Sequence, residues 1–147
     1  MKLFSTLLLS LAFTGLCSAE QKFPRGTFES KDLDKAKAEA TAQKKPIAFI
    51  MTDKDTTCPL CQGAASAFLD VVKSKAVIVY VNSKETSTVW GGLPEAARKG
   101  LEAGKFIPKM AVTDASAANL ITSINYDSYT ADDKILREFK KALKPEK

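Results

Sequence analysis

Cys58 and Cys61 are the residues whose type and spacing are best suited to chemistry in this sequence. They enclose Pro59 and Leu60 and lie between a polar loop and a segment with helical periodicity. Two cysteines three positions apart in the first turn of a helix can close a small disulfide ring, bind a metal, or pack in a core without reacting. Their spacing alone leaves all three possibilities open.

The chain contains no histidine among its 147 residues. This absence removes Ser-His and Cys-His nucleophile pairs, histidine metal sites and the most common general base. A tetrahedral zinc site needs four ligands, whereas one Cys-x-x-Cys pair supplies two. A redox pair or a structural disulfide therefore remains, with a Cu(I) site that adds Met51 and Met110 as soft ligands as the metal alternative.

The first 19 residues have the parts of a secretory signal peptide: a basic start at Lys2, an apolar run over residues 3–16, and small residues up to Ala19. We predict cleavage after Ala19 and an exported protein, periplasmic or secreted, in a compartment where disulfides persist. A core helix and lipid attachment at Cys17 are the alternatives for this segment. No later apolar stretch has the length of a membrane span, so no stable membrane insertion is expected after cleavage.

The charge distribution gives no sign of a nucleic-acid platform. Removal of Lys2 with the leader lowers the formal net charge from +5 to +4. Lysines and acids are interleaved along residues 31–35 and 137–141, which is typical of solvated helix faces. Because no basic stripe alternates with aromatic residues, we do not expect nucleic acid to be a partner.

Hydrophobic periodicity predicts one domain at residues 30–147, behind an extended lead-in at residues 20–29. Continuous apolar runs predict buried strands, and apolar residues with a period of 3.6 predict amphipathic helices. The predicted order is α-β-α-β-α-β-β-α. These elements are expected at residues 31–43, 47–51, 62–72, 76–81, 94 to the stop at Gly104, 110–113, 120–124, and 130 to the stop at Pro145, with a polar turn at 82–92.

Two local patterns place the helix starts and the orientation of the cysteines. Ser30 is the predicted N-cap of the first helix, and Thr130 with Asp133 resembles a capping box for the last. In the helix that follows the cysteines, Cys61 shares one apolar face with Phe68. We therefore expect Cys61 to be buried and Cys58 to be exposed at the tip.

This element order, together with two motifs, resembles the thioredoxin-like fold in the secreted or periplasmic branch of bacterial thioredoxin-family proteins. The resemblance covers residues 30–143. Its specific parts are Cys58 and Cys61 at a strand-to-helix junction and Ile107-Pro108 at the start of the third strand. It implies a three-layer α/β sandwich with a central mixed sheet of about four strands flanked by helices. It also implies a cis peptide bond before Pro108, with the proline facing the disulfide.

The chain departs from the family pattern in three places. Members often carry tryptophan just before the first cysteine, where this chain has Thr57. Thioredoxins proper bury an acid under the active site as a proton relay, whereas residues 50–52 contain none here and Asp53 and Asp55 lie in the following loop. No lead strand is apparent before residue 30. These departures predict a reduced apolar docking surface and leave the rate of the second chemical step open.

The resemblance implies a thiol-disulfide oxidoreductase that acts on protein disulfides outside the cytoplasm. Cys58 is the expected nucleophile, because unpaired N–H groups and the dipole at a helix start lower the pKa of a thiol. Cys61 then attacks Cys58 and releases the partner. The charge of Lys54 is expected to lower the pKa of Cys58, and nearby acids to raise it. The residues expected to face the substrate or tune the pair are Thr57, Pro59, Leu60, Ile107 and Pro108.

Two other functions remain open for such a domain. One is a non-catalytic thioredoxin-like binding module with a structural disulfide, and the other is the Cu(I) carrier described above. The oxidoreductase reading needs no cofactor beyond the Cys58–Cys61 disulfide. Its expected partners are protein thiols or disulfides and a separate redox partner, and the protein is expected to be a monomer.

Overall fold

The computed structural model describes residues 20–144, and the predicted signal peptide at residues 1–19 lies outside the described residues. Within residues 20–144, one mixed sheet has the strand order β1-β3-β2-β4-β5. β2 is central; it runs parallel to β3 and antiparallel to β4, which pairs antiparallel with β5. The strands are β1 Phe28–Glu29, β2 Ile47–Thr52, β3 Val77–Asn82, β4 Lys109–Thr113 and β5 Leu120–Asn125.

Helices cover both faces of this sheet, so the predicted three-layer sandwich is confirmed. The helices are α1 Leu33–Gln43, α2 Pro59–Val72, α3 Thr86–Val89, α4 Glu95–Glu102, α5 Tyr126–Ala131 and α6 Lys134–Ala142. Apolar side chains of α2, α5 and α6 pack on one face, which we call the α2 face. Those of α1, α3 and α4 pack on the other, which we call the α4 face.

β2 is buried along its whole length and supplies both apolar layers. Because successive side chains of a strand point to opposite faces, Ile50 joins the cluster of the α2 face while Phe49 and Met51 join that of the α4 face. A strand covered on both sides reads as a continuous apolar run, which is why its position was predictable.

The lead-in at residues 20–29 is packed against the domain. The Gln21 N–H donates to the Lys54 carbonyl at 3.0 Å, and the Phe23 ring lies 4.8 Å from that of Tyr80. The lead-in ends in β1, which pairs parallel with β3 and gives the sheet a fifth strand. The expectation that no strand precedes the first helix is therefore wrong. The sequence does not reveal β1, because a two-residue strand is too short to show a hydrophobic period.

Both predicted helix starts are wrong. Ser30–Asp32 form a 3-10 turn ahead of α1, so Ser30 is not its N-cap. The predicted last helix is divided: Asn125 and Ser128 form the capping box that starts α5, and α6 begins after Asp133. The Thr130 hydroxyl donates back to carbonyls within α5 and is therefore not a cap. The polar segment at 82–92 also contains helical structure, with α3 between two 3-10 turns.

Thr52 and Thr113 form a natural comparison for the cost of an unpaired buried hydroxyl. Thr52 is 1% exposed and Thr113 is fully buried. The Thr113 hydroxyl donates to the Asp114 carbonyl at 3.1 Å, whereas Thr52 Oγ1 has no hydrogen-bond partner among residues 20–144. Leaving a buried polar group unpaired costs about 1–3 kcal/mol.

We therefore expect Thr52→Val to raise the free energy of unfolding by about 1 kcal/mol and Thr113→Val to lower it by a similar amount. Urea unfolding of the two variants beside the wild type measures both changes. A clear loss of stability in the Thr52 variant would contradict the assignment, since it would mean that this hydroxyl is hydrogen-bonded in solution.

Candidate active site

The sulfur of Cys58 caps helix α2. Cys58 is the N-cap residue, with extended φ and ψ of −77° and 108°, and its Sγ accepts a hydrogen bond from the Cys61 N–H at 3.3 Å. Pro59 follows at the first helical position, where a missing N–H has no cost. The helix begins at Pro59 rather than at residue 62, so the whole Cys-x-x-Cys segment belongs to its first turn.

The two thiols are in direct contact. The Cys61 S–H donates to Cys58 Sγ at 2.7 Å, and both cysteines are free and half-buried. The expectations that Cys61 is buried and that Cys58 is exposed are therefore both wrong in degree. Ala64 and Phe68, on the same helical stripe, are fully enclosed, whereas Cys61 lies one turn nearer the helix start. That position keeps the second sulfur within reach of the first.

The surroundings of the two sulfurs shift their pKa values in opposite directions. The pKa of Cys58 lies below that of an ordinary thiol, because the Cys61 S–H, the Cys61 N–H and the Leu60 N–H all donate toward its sulfur. Burial raises the pKa of Cys61 to about 11, and the bond to Cys58 adds to that rise. In the reduced pair, Cys58 is therefore the thiol that ionises first, while Cys61 keeps its proton.

Lys54 and the acids beside it do not set the pKa of Cys58. Lys54 Nζ forms an ion pair with Glu29 at 2.9 Å and lies over an aromatic ring. The Asp53 carboxylate pairs with Lys84 at 3.1 Å. These charges pair with one another and are not among the causes that shift the pKa of Cys58, so the prediction that they tune it is wrong. The hydrogen bonds of the first helical turn lower that pKa instead.

No acid lies buried under the cysteines among residues 20–144. Side chains alternate between the two faces along β2, so Thr52 lies on the same face as Ile50, which is the α2 face. It is the last residue of β2, at the end that leads to the cysteines. The register of β2 on β4, carried one residue further, sets it opposite Pro108. The buried polar side chains of this part of the chain are Gln21, Thr52, Lys109 and Thr113. The buried polar group at this end of β2 is therefore a hydroxyl and not a carboxylate.

The peptide bond between Ile107 and Pro108 is cis, as the resemblance implied. Pro108 is buried and precedes β4 directly, while Ile107 packs against the α4 face. Because β4 runs antiparallel to β2, the start of β4 and the end of β2 lie at the same edge of the sheet. Pro108 and the segment that carries the cysteines therefore share that edge.

The loop that leads to Pro108, residues 104–107, is held by a carboxylate on α5. One oxygen of Asp127 accepts the Lys105 N–H at 2.8 Å and the Phe106 N–H at 3.0 Å. These bonds, the one from Phe106 first, hold the pKa of Asp127 below its usual range. Lys109 Nζ donates to the Gly104 carbonyl at 2.6 Å. The sequence reasoning missed Asp127, since no local pattern reports a bond across about twenty residues.

Large apolar side chains are exposed on two segments at this edge. Leu60, between the cysteines, is 70% exposed, and Phe106, in the loop before Pro108, is 53% exposed. Thr57 and Pro59 are exposed as well. Thr57 brings no apolar surface, as predicted, but Leu60 and Phe106 supply some from either side.

The proposed Cu(I) ligands do not come together. Met51 packs on the α4 face, across the sheet from α2, and Met110 is fully buried on the α2 face. Among residues 20–144, no group of three or more histidine, cysteine or acidic side chains could hold a metal ion. In the same part of the chain, no helix has the length and apolarity needed to cross a membrane.

The sheet order, the Cys-x-x-Cys pair that caps α2 and the cis proline at the same edge define a thioredoxin-like fold. A disulphide isomerase from Xylella fastidiosa Temecula1 has the same architecture, with a TM-score of 0.53 and 13% identity over 92% of this chain and 98% of that chain. A structure described as DsbH oxidoreductase matches with a TM-score of 0.47 and 13% identity over 90% of this chain and 95% of that one. No protein-family model and no curated protein matches the sequence.

The hydrogen bonds at Cys58 predict an order of thiol acidity among variants of Cys61. Cys61→Ala removes the S–H donor and keeps the N–H, so the pKa of Cys58 rises. Cys61→Ser keeps a hydroxyl donor, so its Cys58 pKa stays below that of the alanine variant. The pH dependence of iodoacetamide alkylation of Cys58 measures all three. Coincident midpoints would show that the Cys61 side chain does not stabilise the thiolate.

Proposed function

We propose that this protein is a thiol-disulfide oxidoreductase that acts on protein disulfides outside the cytoplasm. One observation carries the proposal: the sulfur of Cys58 accepts the N–H and S–H of Cys61, so a stabilised thiolate and its resolving thiol lie 2.7 Å apart at a helix start. A structural disulfide needs neither a low pKa nor this asymmetry. The extracytoplasmic location rests on the predicted signal peptide.

The proposed reaction consists of two exchanges. The Cys58 thiolate attacks one sulfur of the partner disulfide, forms a mixed disulfide, and expels the other partner sulfur as a thiolate that takes up a proton. Cys61 then loses its proton and attacks Cys58 Sγ. This closes the Cys58–Cys61 disulfide and expels the second partner thiolate. Two electrons pass from the dithiol to the partner, and the reverse sequence oxidises a partner dithiol.

The residues around the pair have proposed roles in partner contact. Leu60 and Phe106 offer apolar surface on the two segments at this edge of the sheet. Asp127 is a positioning residue, because it fixes the loop that carries Phe106 and leads to Pro108. The residues proposed to face the partner or tune the pair are Thr57, Pro59, Leu60, Ile107 and Pro108.

The direction of electron flow is set by the reduction potential of the pair. Proteins of this type span about −270 to −120 mV, and stabilisation of the nucleophilic thiolate favours the dithiol and so the oxidising end. Equilibration with glutathione at defined ratios, read by thiol alkylation, measures the potential. The structural neighbour described as a disulphide isomerase makes isomerisation a candidate that a scrambled-disulfide refolding assay tests.

A mixed-disulfide trap tests the proposed roles of the two cysteines. Cys61→Ser should accumulate disulfide-linked partners through Cys58, because the resolving thiol is absent, while Cys58→Ser should trap none and still fold, because a serine hydroxyl also caps a helix. Non-reducing gels of the two variants, expressed with the leader, show the adducts. An empty Cys61→Ser trap, with no turnover of a disulfide substrate by the wild type, would instead favour the non-catalytic binding module.

The raised pKa of Cys61 predicts a strong pH dependence of the second exchange. Only the thiolate attacks, and burial, the largest cause of the raised pKa of Cys61, persists in the mixed disulfide, so the reactive fraction rises with pH. The rate of release from a preformed mixed disulfide should therefore rise about tenfold per pH unit between about pH 6 and 8. Stopped-flow release of a fluorescent thiol from Cys58 measures this rate. A rate independent of pH would show that another group takes the proton from Cys61.

Asp127 should affect activity without touching the sulfurs. Asp127→Ala frees the Lys105 and Phe106 N–H groups, so we expect a loss of about tenfold in kcat/KM toward a peptide disulfide as the loop loses its fixed geometry. Asp70→Ala is the matched control, since Asp70 is an exposed acid on α2 that pairs with Lys73. The alkylation profile of Cys58 should stay unchanged in both variants. Equal kcat/KM in both variants would remove Asp127 from the site.

A further inference from the structure

A cavity lies at the opposite end of the sheet from the cysteines. It has a volume of about 530 Å³ and lies where β2 and β5 begin and α6 ends. Its apolar lining comes from Pro46, Ala115, Ile121 and Leu143. Ile121 is 46% exposed, and few other large apolar side chains in residues 20–144 are as exposed.

Lysines surround this apolar lining. Lys44, Lys45, Lys75 and Lys144 border the cavity, and none of them forms an ion pair with an acid of residues 20–144. The one acid on the cavity wall is Asp114. We call this cavity the lysine groove.

The carboxylate of Asp114 is already occupied by its own loop. It accepts hydrogen bonds from the Ser116 hydroxyl at 2.8 Å, the Ala118 N–H at 2.9 Å and the Asn119 side-chain amide at 2.6 Å. These bonds fold the turn between β4 and β5. These donors are neutral, so Asp114 keeps its negative charge, and four lysines against one carboxylate leave the groove with a formal net charge of +3.

The backbone at Lys44 adds a separate indication. Lys44 has φ of +53°, in the left-handed region, where it ends α1 with its N–H bonded to carbonyls of that helix. Glycine adopts this conformation at lower cost and is the usual residue there. A lysine in this place is therefore less stable than a glycine would be, which is consistent with a role for its charge.

We propose that the lysine groove binds a single-chain fatty acid anion, with the hydrocarbon tail on the apolar lining and the carboxylate among the lysines. The volume lies within the range of small-ligand pockets, which are about 300–1,000 Å³. A second copy of this chain on the same face would set lysines against lysines, and its like charges would repel. The groove is distant from the cysteines, so the inference does not depend on the proposed redox function.

Isothermal titration of the full mature chain with octanoate, decanoate and dodecanoate, below their micelle concentrations, tests the tail. Each added methylene should tighten binding about fourfold until the groove is filled. Dodecyltrimethylammonium, like dodecanoate, has a twelve-carbon chain, but its head group is cationic. It should bind at least tenfold more weakly than dodecanoate. Equal affinity for the two heads, or no binding of either, would overturn the proposal.

Two variants test the place of binding. Lys44→Gly relieves the left-handed backbone, so it should keep or raise the melting temperature while weakening dodecanoate binding about two- to fivefold. Ile121→Glu, at an exposed position, should weaken it at least tenfold by adding charge to the tail site. Lys31→Gln, at the other end of the molecule, is the control and should bind like the wild type. Unchanged affinity in both groove variants would overturn the proposal. Binding of the protein to anionic vesicles, without binding of free dodecanoate, would overturn it as well.

Discussion

The chemistry of this protein depends on the hydrogen bonds that converge on the sulfur of Cys58. A helix start leaves N–H groups without partners, and an oxygen of serine, threonine or aspartate usually accepts one of them. Here a sulfur does so, taking the Cys61 N–H and, in addition, the Cys61 S–H. The bonds that begin α2 are thus the same bonds that lower the pKa of Cys58. The same hydrogen bonds therefore start the helix and stabilise the thiolate, and the neighbouring charges contribute little to the pKa of Cys58.

The rest of the fold holds this first turn against the start of β4. β2 is fully buried between two apolar layers, so its end, from which the loop to Cys58 departs, is rigidly placed. β4 pairs antiparallel with it, which brings Pro108 to the same edge. The loop before Pro108 would be free backbone without Asp127 and Lys109, which bind its N–H and carbonyl groups from outside the loop. The lead-in adds a further restraint through the bond of Gln21 to the Lys54 carbonyl.

The parts of the structure that were predictable from the sequence are those specified by local periodicity. β2 and β3 are continuous apolar runs, and their positions, like those of the antiparallel pair β4–β5, are correct within one residue. The cis bond at Pro108 came from resemblance, since nothing in its neighbours requires it. The errors concern interactions that sequence spacing does not report: the split between α5 and α6, set by Asn125 and Ser128, and the partners of Lys54 and Asp53. Asp127 was missed for the same reason.

No acid is buried near the cysteines among residues 20–144, and the thiol pair itself can offset part of this absence. Burial comes first among the causes that raise the pKa of Cys61, followed by the hydrogen bond to Cys58 and its negative charge. When Cys58 enters a mixed disulfide, its charge is gone and its sulfur becomes a poor acceptor, so both of the later causes disappear. In the proposed reaction, the first exchange therefore lowers the pKa of Cys61 at the moment when that thiol must lose its proton. Burial still opposes deprotonation, and the unpaired hydroxyl of Thr52, at the end of β2, can donate to a thiolate but cannot take its proton as a carboxylate can. In the proposed reaction, the two steps are therefore coupled through the charge on Cys58.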